Sequence, residues 1–227
     1  MTRVLVPVAV LKGGSVSNGL VQLLSTMDVT VLGYHVLPEQ TPPDQARAQF
    51  EDRANDALQA LTAEFAAAGS EADHRLVFTH DRRKSIDRVA EETDSAAYAI
   101  TGATGEVERL LVSLTGDVDV DRILGFVEEL VGDREIGVTL FDAGGSTDGR
   151  LDVASESLSE TGIETETQTG DGDSFDALID AISGHDAVVM GEKAPSLGSL
   201  LFGEEADRVA AASVGPVLVV RSEKDES

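Results

Sequence analysis

The chain opens on an apolar run of buried-strand length, RVLVPVA (3–9), and a similar run, RLLVSLT, returns at 109–115. Each leads through a glycine-bearing loop into a short amphipathic stretch, SNGLVQLLSTM (17–27) and DRILGFVEELVG (121–132). A β-branched run follows each, DVTVLGYHVL (28–37) and IGVTLFDA (136–143). Apolar positions recurring three and four apart predict helices, and unbroken Val, Ile and Leu runs predict buried strands.

The later parts of the two halves match without a gap. Residues 75–102 overlay 164–191 at a constant offset of 89. Ile86 falls on Phe175 and Val89 on Leu178, and Ala99–Gly102 fall on Val188–Gly191. Between these matched parts the first copy is longer. Phe50, Ala54, Ala57, Leu58, Leu61, Phe65 and Ala68 keep helical spacing after Pro-Pro-Asp and before Gly69, whereas the second copy has a shorter version around 148–162. The pattern is that of a tandem duplication.

Strands that alternate with helices argue for parallel sheets covered on both faces. Ligands in such folds sit at the carboxyl ends of the strands, where strand order reverses. The stretch VERLLVSLT (107–115) reads in two ways: a short helix closing the first copy, or the first strand of the second. The strand reading is favoured, because a helix and the strand IGVTLF then complete its unit. The first copy would then lack a last helix and strand. The expected organisation is a first repeat at 1–106, a second at 107–222 and a charged tail at 223–227, packed as a pseudo-dimer.

Composition narrows the chemistry. There is no cysteine, which excludes disulfides, thiolate metal sites and thiol nucleophiles. Asp and Glu number 42 against 17 Lys and Arg, a formal charge of −25 spread along the whole chain. Such a surface repels nucleic acid and anionic lipid, so neither is an expected partner. With no Trp, few aromatics and only four lysines (Lys12, Lys84, Lys193, Lys224), it resembles the proteins of organisms that live with molar internal salt. The opening apolar run is too short for a membrane span and reads as a strand rather than a signal peptide, so a cytoplasmic protein is expected.

Several of these segments together resemble the universal stress protein (UspA) superfamily: RVLVPVA, VTVLGYHV, AVVMG before a loop, and the ending EADRVAAASVGPVLVVR. The resemblance covers nearly the whole chain as two copies, and residues 186–221 carry most of its specificity. It implies an α/β fold, two flavodoxin-like, adenine-nucleotide-hydrolase-like doubly wound parallel-sheet units in tandem. Some members bind ATP between the first and fourth strands. Others bind no nucleotide and act through dimers or protein partners.

The family motif is altered in this sequence. Where ATP-binding members have Asp after V-P-V, this chain has Ala9 in the first copy and Thr115 in the second, with Asp117 two residues on. The family's loop G-x2-G-x9-G-[S/T] begins at Gly191, but Ala194 replaces the second glycine and eight residues precede Gly203. Gly198 can rebuild a turn. Glu204, followed by Glu205, stands where a hydroxyl is expected; the two either supply the anion at a helix start or simply lie in a helix's first turn. The first copy keeps Gly102 and Gly105, and Thr115-Gly116 come ten residues later. The nucleotide-loop positions are therefore Gly102, Gly105, Thr115, Gly116, Gly191, Ala194, Gly198 and Gly203.

No catalytic constellation is present: there is no Walker A, G-x-S-x-G or G-x-G-x-x-G. The four histidines are too dispersed for metal spacing, and DVDVD (117–121) and DGDSFD (171–176) are better explained as helix caps than as calcium loops. The basic cluster RRK (82–84) is a candidate contact for an anion or a partner. The expectation is a binding or regulatory module in stress response, without catalysis, metal or ATP bound by the usual motif. Its partner would be a second copy or another protein, met through Val217–Val220. ATP binding is the alternative, and a nucleotide-hydrolysing enzyme a third reading.

Overall fold

The computed structural model describes residues 1–143, 149–195 and 215–222. Its contacts divide the chain into two units, Met1–Thr101 and Gly102–Ser227.

In the first unit, β1 (Arg3–Val8), β2 (Asp28–Val36), β3 (Ala72–Thr79) and β4 (Ala97–Ile100) are parallel, in the order β3-β2-β1-β4. The helices α1 (Asn18–Leu23), α2 (Pro43–Ala68) and α3 (Arg82–Glu92) connect them, as parallel strands require. The predicted long helix is α2. It starts with proline in its first turn and stops at Gly69, whose φ of 115° suits a residue without a β-carbon. Its buried face carries Ala46, Ala54, Leu58 and Phe65. Leu58 seats on β2 at Gly33, where an added β-carbon would lie 2.7 Å from Leu58 Cδ1.

The helix predicted over 17–27 is shorter than its pattern. Ser17 caps it, and after Leu23 the chain tightens into a 3-10 turn at Leu24–Thr26. The buried Ser70 hydroxyl donates to Leu24 O at 2.8 Å, tying that turn to the start of β3. A tertiary contact thus ends a helix that local periodicity would continue.

The second unit contains β5 (Arg109–Ser113), α4 (Val120–Val131), β6 (Gly137–Asp142), α5 (Arg150–Glu160), β7 (Thr165–Thr169), α6 (Ser174–Ile182), β8 (Ala187–Gly191) and β9 (Val217–Val220). Its strands are parallel in the order β9-β8-β5-β6-β7. Residues 109–113 therefore form a strand, the favoured of the two readings. Leu110, Leu111 and Val112 are successive and all 0% exposed, as in a central strand covered on both faces.

Aspartates begin three helices, two of them in the segments read from the sequence as caps (117–121 and 171–176) and the third at Asp81. Asp81 accepts from Lys84 N, Asp119 from Arg122 N, and Asp173 from Phe175 N and Asp176 N. Each carboxylate meets amides that lack partners in the first turn. In both units the strand after the centre returns on its other side, so order reverses between β1 and β4 and between β5 and β8.

Candidate functional site

The reversal point of the second unit lies between the segment after β5 and the segment after β8. Thr115 is 4% exposed and turned inward, where its hydroxyl accepts from Ala143 N at 2.9 Å and from Ser113 Oγ at 3.3 Å. It ties the ends of β5 and β6 together. Gly116 follows at φ +91°, and a β-carbon there would lie 2.6 Å from Pro195 Cδ. The loops after β5 and β8 therefore meet directly. Arg150, in the first turn of α5, donates through Nη1 to Leu114 O at 2.7 Å and to Gly116 O at 2.9 Å.

The opening of the β8 loop is equally closed. Gly191 is packed so tightly that a β-carbon would lie 2.9 Å from Val118 Cγ1. Ala194 is 5% exposed, and its amide donates to Gly191 O at 3.0 Å instead of facing a ligand. Glu192 turns toward the end of β9, its amide on Val220 O at 2.8 Å and its Oε2 accepting from Ser222 N at 3.2 Å. The cavity among Val118, Asp119, Arg122, Gly191, Lys193 and Arg221 measures about 10 Å³. That is room for a single water, against several hundred Å³ for a nucleotide-sized ligand.

Gly102 and Gly105 precede β5, whereas Thr115 and Gly116 follow it. A five-residue strand separates them, roughly 16 Å, so they do not form one loop. No helix begins between β4 and β5, so the two glycines lead into no set of free helical amides. Gly198, Gly203, Glu204 and Glu205 lie outside the described residues.

Two larger clefts open on the amino-end side of the second unit. One of about 570 Å³ lies between Val131–Gly137 and Thr161–Glu164. Arg134 stands in it and caps α4, donating from Nε to Val131 O at 3.1 Å and from Nη2 to Leu130 O. The other, about 560 Å³, is lined by Arg109, Thr139, Glu164 and Glu166 among others. Beside it His185 joins Ala181 O through Nδ1 at 2.9 Å and the Thr139 hydroxyl through Nε2 at 2.8 Å. Burial holds the imidazole below its ordinary value of 6.5, outweighing the hydrogen bond to Ala181.

The RRK cluster opens α3. The Arg82 guanidinium lies 5.1 Å from the Tyr34 ring centroid, and Lys84 Nζ is 3.6 Å from Asp81 Oδ2. The Lys84 backbone N–H is the main cause holding the Asp81 carboxyl below its usual range. Val217–Val220 is 0–4% exposed. Among the described residues, no group of three or more His, Asp or Glu converges on a common point, and no helix is long and apolar enough to cross a membrane.

Sequence reasoning missed Arg150 and Pro195. The available signal for Arg150 was a cation at the start of a helix, where the dipole disfavours it unless carbonyls receive it. Pro195 carried no signal, because its role depends on a residue from another loop.

No family model and no curated protein matches the sequence. Comparison of structures finds the fold in solved proteins. A universal stress protein from Archaeoglobus fulgidus DSM 4304 aligns over 99% of this chain and 97% of its own, with 17% identity and a TM-score of 0.64. The cytoplasmic domain of a prokaryotic cation chloride cotransporter aligns over 96% of this chain and 94% of its own, with 10% identity and a TM-score of 0.52. The fold is therefore that of the universal stress proteins, over the length of the chain.

Proposed function

We propose that this chain is a UspA-fold binding and regulatory module of the stress response that does not use ATP in the crevice of its second unit. The observation that carries the reading is the contact of Pro195 with Gly116, which brings the two ligand loops of the reversal point together. Arg150 holds the same segment through two backbone carbonyls, so opening it would break two charge-assisted hydrogen bonds as well as the packing. The module acts on a protein, a second copy or another chain.

Calorimetry with Mg-ATP at molar KCl tests the reading. The expected result is no saturable heat. Saturable micromolar binding that disappears in Gly191→Asp would overturn it in favour of an ATP-binding module. Turnover of ATP above background would favour a nucleotide-hydrolysing enzyme instead.

A further inference from the structure

At the amino ends of β1, β2 and β3, strand register sets four polar side chains on one face of the sheet. Arg3 is level with Asp28, Thr30 is level with Asp73, and Asp28 and Thr30 are two residues apart on one strand. Arg3 reaches across β2, with Nη2 3.8 Å from Asp28 Oδ2 and Nη1 3.9 Å from Asp73 Oδ2. Both separations exceed hydrogen-bond length, so one guanidinium faces two carboxylates loosely. The other oxygens of the cluster, Asp28 Oδ1, Asp73 Oδ1 and Thr30 Oγ1, are buried without a protein hydrogen-bond partner. Thr30 is 0% exposed. The Asp28 side chain is 16% exposed and that of Asp73 43%, so the cluster opens to solvent at Asp73, and three unpartnered buried oxygens at neighbouring register positions point to a ligand entering from that side.

The second unit provides an internal comparison. Ala96 N donates to Arg3 O as Asp186 N donates to Arg109 O, so the two units can be placed in register. The ladders then set Asp28 on Gly137, Thr30 on Thr139 and Asp73 on Glu166, so strand pairing replaces the ungapped overlay at an offset of 89 that the sequence suggested. Thr139's hydroxyl is met by His185 Nε2 at 2.8 Å. In the first unit Ser95 holds the place of His185, and its hydroxyl is 2.8 Å from that of Thr93. The repeat with one carboxylate fewer has a satisfied hydroxyl. The repeat with two carboxylates does not.

We propose that the first unit binds one monovalent metal cation, sodium or potassium, through Asp28 Oδ1, Thr30 Oγ1 and Asp73 Oδ1. Two carboxylates against one guanidinium leave a single negative charge, which one positive charge neutralises. Three hard oxygen donors suit an alkali ion. A divalent ion would overcompensate the charge. A water molecule would satisfy the hydroxyl but leave the charge.

The test is thermal unfolding of the full chain in sodium, potassium and tetramethylammonium chloride at equal ionic strength. The expected result is a saturable rise of about 5 °C or more in the sodium or potassium salt over tetramethylammonium. Asp28→Asn and Thr30→Val should abolish that difference. Glu51→Gln, which removes a carboxylate paired with Arg47 on α2, should keep it. Equal stability in all three salts, or an undiminished difference in Asp28→Asn, would show general screening of the acidic surface and overturn the site. Should the variants fail to fold, sodium and potassium chloride titrated into the wild-type chain in tetramethylammonium chloride decide it. Saturable heat from either ion supports the site, and none from both overturns it.

Discussion

Pro195 rests against the bare α-carbon of Gly116: a β-carbon on that glycine would lie 2.6 Å from Pro195 Cδ. Gly116 is also at φ +91°, where L side chains are strained. Gly116→Ala should therefore cost about 1–3 kcal/mol through clash and backbone strain together. Gly125 in α4 is the control, since nothing lies within 4 Å of its added β-carbon. Gly125→Ala should be neutral or stabilise by up to about 1 kcal/mol, as for a glycine inside a helix. Urea unfolding of the two variants checks the contrast, and equal behaviour would mean the loops do not meet.

Thr115 lies at the end of β5, where its hydroxyl serves the backbone by accepting from Ala143 N at 2.9 Å. Thr115→Val keeps the shape and orphans a buried amide, at an expected cost of about 1–3 kcal/mol. Thr115→Ser should recover most of it. Amide exchange at Ala143 should quicken in the valine variant alone.

His185 links pH to the stability of the second unit. Burial lowers its pKa from the ordinary 6.5, so the folded chain holds the proton less readily than the unfolded one. Its contribution to stability is full above pH 6.5 and is lost as pH falls from there through the folded value. The stability gap between wild type and His185→Gln should narrow between about pH 7.5 and pH 5.5. A gap constant across that range in chemical denaturation would rule out the linkage.

Gly33 gives a packing test in the first unit. Its added β-carbon would lie 2.7 Å from Leu58 Cδ1 and 2.9 Å from Cδ2, with Leu58 0% exposed. Gly33→Ala should destabilise by about 1–3 kcal/mol as overpacking. Adding Leu58→Val should restore part of that loss, and a double-mutant cycle with no coupling would place α2 elsewhere.

Much of the fold was legible because its signals are local. The spacing Phe50, Ala54, Leu58, Phe65 and the stop at Gly69 describe α2 without reference to any other element. Asp119 and Asp173 announce helix starts because the amides they serve lie within three residues. The ambiguous run at 109–113 needed its neighbours, since successive apolar residues suit a buried strand or a helix segment equally. The site was less legible. Gly102-x2-Gly105 and Thr115-Gly116 match the loop pattern only if 107–115 is a helix, and the strand at 109–113 separates them.

By itself, the sequence determined the duplicated order of strands and helices, the helix caps, and the departures from the nucleotide-binding pattern at Ala9 and Ala194. These depend on residues a few positions apart, whose periodicity and backbone preferences act locally. Only the tertiary structure decided that Pro195 closes on Gly116, that Arg150 holds Leu114 O and Gly116 O, and that Thr139 finds His185 while Thr30 finds no partner. Those facts depend on strand register and on loops that meet only after folding. A one-residue change of register would turn each strand's side chains to the opposite face.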